Sequence, residues 1–114
     1  MTLVRETCVA CRRDSPRVTD TEITELSPEV PDWELKVTDG VPKLERSFKF
    51  PDFAQAIAFA FGVGEAAESE GHHPRLTVEW GRVLVEWWTH KIRALHRNDF
   101  VMAAKTDQIF LQPR

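Results

Sequence analysis

Residues 51–87, PDFAQAIAFAFGVGEAAESEGHHPRLTVEWGRVLVEW, change their hydrophobic period midway, and that change decides the fold. From Asp52, a candidate N-cap, the apolar residues Phe53, Ile57, Ala60, Phe61, Gly64 and Ala67 recur every three or four positions, the spacing of one helix face. This set is the expected buried face. Gly71 suits the residue just past the helix end, and Pro74 biases His73 toward extended backbone. After it the period becomes two: Leu76, Val78 and Trp80 share a face, as do Val83, Val85 and Trp87. A helix therefore hands over to a hairpin at an adjacent pair of histidines.

The flanking sequence repeats the theme. In DWELKVTDGVPKLERSFKF (32–50), Trp33, Leu35 and Val37, then Leu44, Arg46, Phe48 and Phe50, alternate about a turn at Asp39-Gly40. TDTEITEL (19–26) is a short capped helix stopped by Pro28 and Pro31, and Asn98 is the expected N-cap of a last helix whose stripe is Phe100, Ala103, Ala104 and Phe110. The order helix, hairpin, helix, hairpin, helix predicts an α+β fold, a four-stranded antiparallel sheet with helices packed on one face. Open sheet edges favour oligomerisation by sheet extension.

Composition narrows the function classes. At 114 residues, 42 % hydrophobic and 29 % charged, the chain reads as one ordinary globular domain, 1–114. A net charge of −3 leaves no basic stripe for phosphates and argues against nucleic acid. No apolar run approaches a membrane span and no secretory leader is visible, so a cytoplasmic protein is expected. Cys8 and Cys11 form a lone CxxC; without a second pair or a strand-to-helix context it reads as two reduced thiols.

The chemistry gathers around the histidines. A turn at Gly81-Arg82 sets Trp80 opposite Val83 and Val78 opposite Val85; continued, it sets His73 opposite His90. Glu68 and His72 are four apart, close enough to meet on one helix face. Asp99, in the first turn of the last helix, is expected to orient His90. Such a set can both donate and remove protons near neutrality. Each member also has a plain reading: His-His-Pro as solvated loop, His90 and His96 as surface residues, Asp99 as a helix-terminal charge, the tryptophans as packing. Metal ligation by His72, His73 and His90 is awkward, because neighbours on an extended chain point to opposite faces.

The run Glu68-x-x-x-His72-His73-Pro74, with Trp80, Thr89-His90 and Asp99, resembles the signature of the pterin-4a-carbinolamine dehydratases. The segments CVACRRDSPRVTDTEITEL, PDWELKV, EWGRV, WWTH and LHRNDFVMAAKTD extend the resemblance to the proteobacterial branch. Two positions depart from relatives: Leu76 where some carry tryptophan, and Ala94 where many carry glycine. The resemblance implies dehydration of 4a-hydroxytetrahydropterin to quinonoid dihydropterin, recycling the cofactor of hydroxylases such as phenylalanine hydroxylase. It implies His72, His73 and His90 as active-site imidazoles, Glu68 and Asp99 as supporting carboxylates, and Gly71, Trp88 and Thr89 at the pterin. It implies no metal and no cofactor, a pterin as the small-molecule partner, and a homodimer or homotetramer. We expect His90 to be the acid, held by Asp99, with the His72/His73 pair as base and pterin binder. Animal relatives also stabilise dimers of a homeodomain transcription factor, so a binding module is the second reading and a metalloprotein using Cys8 and Cys11 the third.

Overall fold

The computed structural model describes residues 3–113. Helix α1 (Asp20–Leu26) is followed by the hairpin β1 (Glu34–Thr38) and β2 (Val41–Lys49), helix α2 (Phe53–Glu70), the hairpin β3 (Arg75–Glu79) and β4 (Arg82–Trp87), and helix α3 (Arg97–Leu111). The strands form one antiparallel sheet in the order β1-β2-β4-β3. Both long helices pack against it, α2 on β3 and β4, and α3 on β2 and β4. This is the expected α+β architecture.

Local chemistry explains most boundaries. Thr19 caps α1 and exchanges hydrogen bonds with Glu22, and the Asp52 carboxylate accepts the Gln55 N–H at 2.8 Å to start α2. The first hairpin turns at Asp39 and Gly40, both at positive φ (53° and 76°), which suits a two-residue turn between right-twisted strands. The second turns one residue earlier than expected. Glu79 faces Arg82 and Val78 faces Val83, so the turn is Trp80-Gly81, not Gly81-Arg82, and His73 is not carried opposite His90 by the ladder. Trp80 at the tip is 73 % exposed instead of sharing the inner face. Pairs shifted by two residues keep their parity, so Val83, Val85 and Trp87 still face the core.

The core joins Leu44, Phe48, Phe59, Val83, Val85, Trp87, Phe100 and Met102. Phe48, Phe50, Phe59 and Phe110 meet with ring centroids 4.7–5.8 Å apart. The face of α2 that enters this core differs from the expected one. Ala56, Phe59, Ala60, Val63 and Ala67 are buried, whereas Phe53, Ile57 and Phe61 are 46 %, 45 % and 66 % exposed. The first half of α2 is apolar on every side, so periodicity alone could not choose; the sheet selects the face that interleaves small alanines with Phe59. Leu35 and Val37 are also exposed on the outer strand β1, although Trp33 is buried.

The chain before α1 is tied to α3. Leu3 is fully buried, Lys105 Nζ donates to the Val4 carbonyl at 2.9 Å, and Arg97 grips Glu6 through two bonds of 2.8 and 2.7 Å. This segment runs alongside α3 toward the helix start, where the histidines lie.

Candidate active site

Helix α2 ends in a Schellman arrangement: Gly71 takes a left-handed conformation (φ 64°) and the His72 N–H reaches back to the Ala67 carbonyl at 3.1 Å. A side chain at position 71 would meet no neighbour, so the backbone conformation is what asks for glycine. The chain then extends, which sends His72 inward and His73 outward; His72 is 6 % exposed and His73 is exposed. On the other side, β4 runs into a tight loop closed by the Thr89–Ala94 bridge, with His90 and Lys91 at its tip. Ala94 occupies that bridge without strain of its own; the positive φ falls on Arg93 (49°).

Cys11, Gly71, His72, His73, Thr89, His90 and Lys91 line one cavity of about 220 Å³. Asp99, fully buried, lies behind it. Its Oδ1 receives His72 Nε2 at 2.6 Å, and its Oδ2 receives the Thr89 hydroxyl and the His96 N–H, each at 2.9 Å. The expected partnership is thereby corrected: Asp99 holds His72, not His90. Glu68 is corrected likewise, since it meets His73 Nε2 at 2.8 Å instead of His72. One added residue past Gly71 turns His72 away from the helix surface, and His73 swings back over it.

His90 stacks on Trp88 (centroids 4.3 Å, planes 13° apart). Trp88 lies on the sheet face away from the long helices, with Lys43 Nζ 4.4 Å above its ring and Arg75 beside it. Desolvation holds the His90 imidazole below the usual histidine value, and repulsion from His72 acts in the same direction. His72 lies parallel to the Trp87 ring, 5.9 Å between centroids. The eight site residues read from the sequence thus form one continuous cluster.

Three further residues join it. His96, expected at the surface, is buried and is the N-cap of α3 in place of Asn98: its Nδ1 accepts the Asn98 N–H at 3.0 Å. Asn98 instead clamps the N-terminal segment, and Cys11 borders the cavity. The contacts of Asn98 with Val9 and Cys11 span 87 to 89 residues, and nothing in the local sequence marks them. Among the described residues, no three His, Cys, Asp or Glu side chains converge so as to hold a metal ion.

The family model for pterin 4 alpha carbinolamine dehydratase matches residues 16–109. The chain belongs to this family. A Gloeobacter violaceus protein, named provisionally as pterin-4-alpha-carbinolamine dehydratase 1, is 58 % identical over 112 residues, 98 % of this chain and 97 % of its own. A solved Brucella melitensis structure, described as a transcriptional coactivator/pterin dehydratase, superposes with a TM-score of 0.73 at 33 % identity, over 82 % of this chain and 98 % of that one. A pterin dehydratase-like protein described as a RuBisCO assembly factor of the alpha-carboxysome shares the fold (TM-score 0.60, 22 % identity, 72 % and 93 % of the chains). No helix among the described residues is long and apolar enough to cross a membrane.

Proposed function

We propose that the chain dehydrates 4a-hydroxytetrahydropterin to quinonoid dihydropterin and water by histidine acid–base catalysis, without a metal or cofactor. The observation that carries this reading is the shared cavity wall of His72, His73 and His90. The C4a–O bond breaks as the departing oxygen takes a proton, while a ring N–H gives up its own, so the product stays neutral. Two proton-transfer groups are therefore needed, one on each side of the ring.

His90, held toward its neutral form, suits the base that removes the N–H proton. His73 suits the acid, with the Glu68 carboxylate at 2.8 Å as counter-charge when the ring carries a proton. This reverses the role expected for His90, because Asp99 supports His72 instead. Trp88 and Gly71 supply apolar and backbone surface for the pterin. The product's chemistry links the protein to aromatic amino acid hydroxylases, phenylalanine hydroxylase among them, acting in the cytoplasm. A homo-oligomer fits the apolar side chains left open on β1 and α2.

The test is a stopped assay with enzymatically generated carbinolamine on the wild type and the variants His72→Ala, His73→Ala and His90→Ala. We expect His90→Ala to lower kcat by about 10²-fold or more with pterin affinity within a few-fold. Wild-type activity should decline as pH falls below the ordinary histidine value of 6.5, as His90 gains a proton. Failure of the wild type to accelerate dehydration would overturn the function, and near-normal turnover by His90→Ala would remove His90 from it.

A further inference from the structure

The segment that carries Cys8 and Cys11 lies outside residues 16–109, the part that the family model matches, yet Cys11 forms part of the cavity wall. It is fastened at several points. Asn98, 3 % exposed, accepts the Val9 N–H on Oδ1 at 3.1 Å and donates from Nδ2 to the Val9 carbonyl at 2.8 Å. Glu70 accepts the Cys8 N–H at 2.7 Å, and Lys91 Nζ donates to the Cys11 carbonyl at 3.0 Å. The result places the Cys11 thiol over His72. Its Sγ lies 4.0 Å from His72 Nδ1 and 3.2 Å from Asn98 Nδ2.

We propose that Cys11 is a positioning residue of the pterin site, holding the His72 imidazole from the side opposite Asp99, and that Asn98 seats it. The inference rests on the dehydratase reading for its kinetic consequence, though not for the contact itself. An ionised carboxylate only accepts, so Asp99 draws the ring proton to Nε2 and leaves the lone pair of the neutral ring on Nδ1. A thiol can both accept and donate. With the Asn98 amide N–H directed at sulfur, the S–H can turn to Nδ1. The donors Asn98, Cys11 and His72 then run in one direction and end on Asp99, an order in which each bond polarises the next. His72 is left in one tautomer and one orientation, flat against Trp87. His72 and His90 line the same cavity, so the placement of the His72 ring bears on the space beside His90.

The experiment compares Cys11→Ala, Cys11→Ser and Asn98→Ala with the wild type, by imidazole ¹⁵N NMR of His72 and by steady-state dehydration kinetics. In the wild type Nε2 should carry the proton and Nδ1 the lone pair; in Cys11→Ala the Nδ1 resonance should move. We expect kcat to fall about tenfold in Cys11→Ala with KM within about twofold, a loss of orientation and not of binding. Cys11→Ser, which keeps a donor and an acceptor, should recover most of the loss, and Asn98→Ala should reproduce Cys11→Ala where it folds. Unchanged His72 nitrogens in Cys11→Ala would overturn the proposal. So would a rise in KM at constant kcat, which would make Cys11 a binding wall, or equal defects in the alanine and serine variants. If the wild type itself failed to accelerate dehydration, the function would fall, and the His72 resonances alone would decide the Cys11 contact.

Discussion

Asp99 receives three donors on two oxygens with no exposed surface: the His72 ring, the Thr89 hydroxyl and the His96 N–H. Removing a charge from such a place leaves donors unpaired, and that cost exceeds anything a surface carboxylate would show. Asp99→Asn keeps the size but replaces one acceptor oxygen by an amide donor, so either the His72 Nε2–H or the Thr89 and His96 donors lose their acceptor. We expect a loss of roughly 2–4 kcal/mol of stability by chemical denaturation. Turnover should fall as well, because an amide facing Nε2 would move the His72 proton to Nδ1. Thr89→Val removes only a neutral donor and should cost less. A variant Asp99→Asn as stable as the wild type would contradict this account of the buried carboxylate. By contrast, the Glu68–His73 pair is on the surface, its side chains 81 % and 59 % exposed, and Glu68→Gln should leave stability almost unchanged while affecting proton delivery.

Helix α3 starts on an unusual cap. The neutral imidazole of His96 accepts the Asn98 N–H through Nδ1, which a protonated ring cannot do. Burial holds His96 below the usual 6.5; Asp99 and Glu22 act against the shift, and His72 acts with it. A folded-state value below the unfolded one means that the unfolded chain binds more protons in this window. Stability from this cap is therefore fully present above about pH 6.5 and is lost as pH falls through the lower folded-state value. Thermal melts between about pH 5 and 8 should show this decline, and His96→Asn, a cap that does not titrate, should flatten it. His96→Ala should cost about 1 kcal/mol at neutral pH. A wild-type melting temperature constant across the window would exclude the titrating cap.

On the scale of the molecule, apolar side chains among the described residues remain uncovered on β1 and α2. Leu35 and Val37 stand on the outer strand β1, and Phe53, Ile57 and Phe61 on one stripe of α2. A second copy is the occupant that the proposed assembly assigns to them. Sedimentation should find a dimer or tetramer, and Phe61→Glu should shift it toward smaller species while the isolated fold persists, since Phe61 is not in the core. A monomeric wild type would leave these surfaces to another partner. The sequence alone was enough for the element order, the α+β class, the Thr19 and Asp52 caps and the Gly71 helix end. Each depends on local backbone preference, a period of two or 3.6, or a motif contiguous in the chain. It could not choose the buried face of α2, whose first half is apolar all round. Nor could it decide which histidine Asp99 holds, or that Cys11 faces His72. Those outcomes depend on which side chains meet across 27 and 61 residues of chain, and such meetings are determined by how helices and sheet pack together.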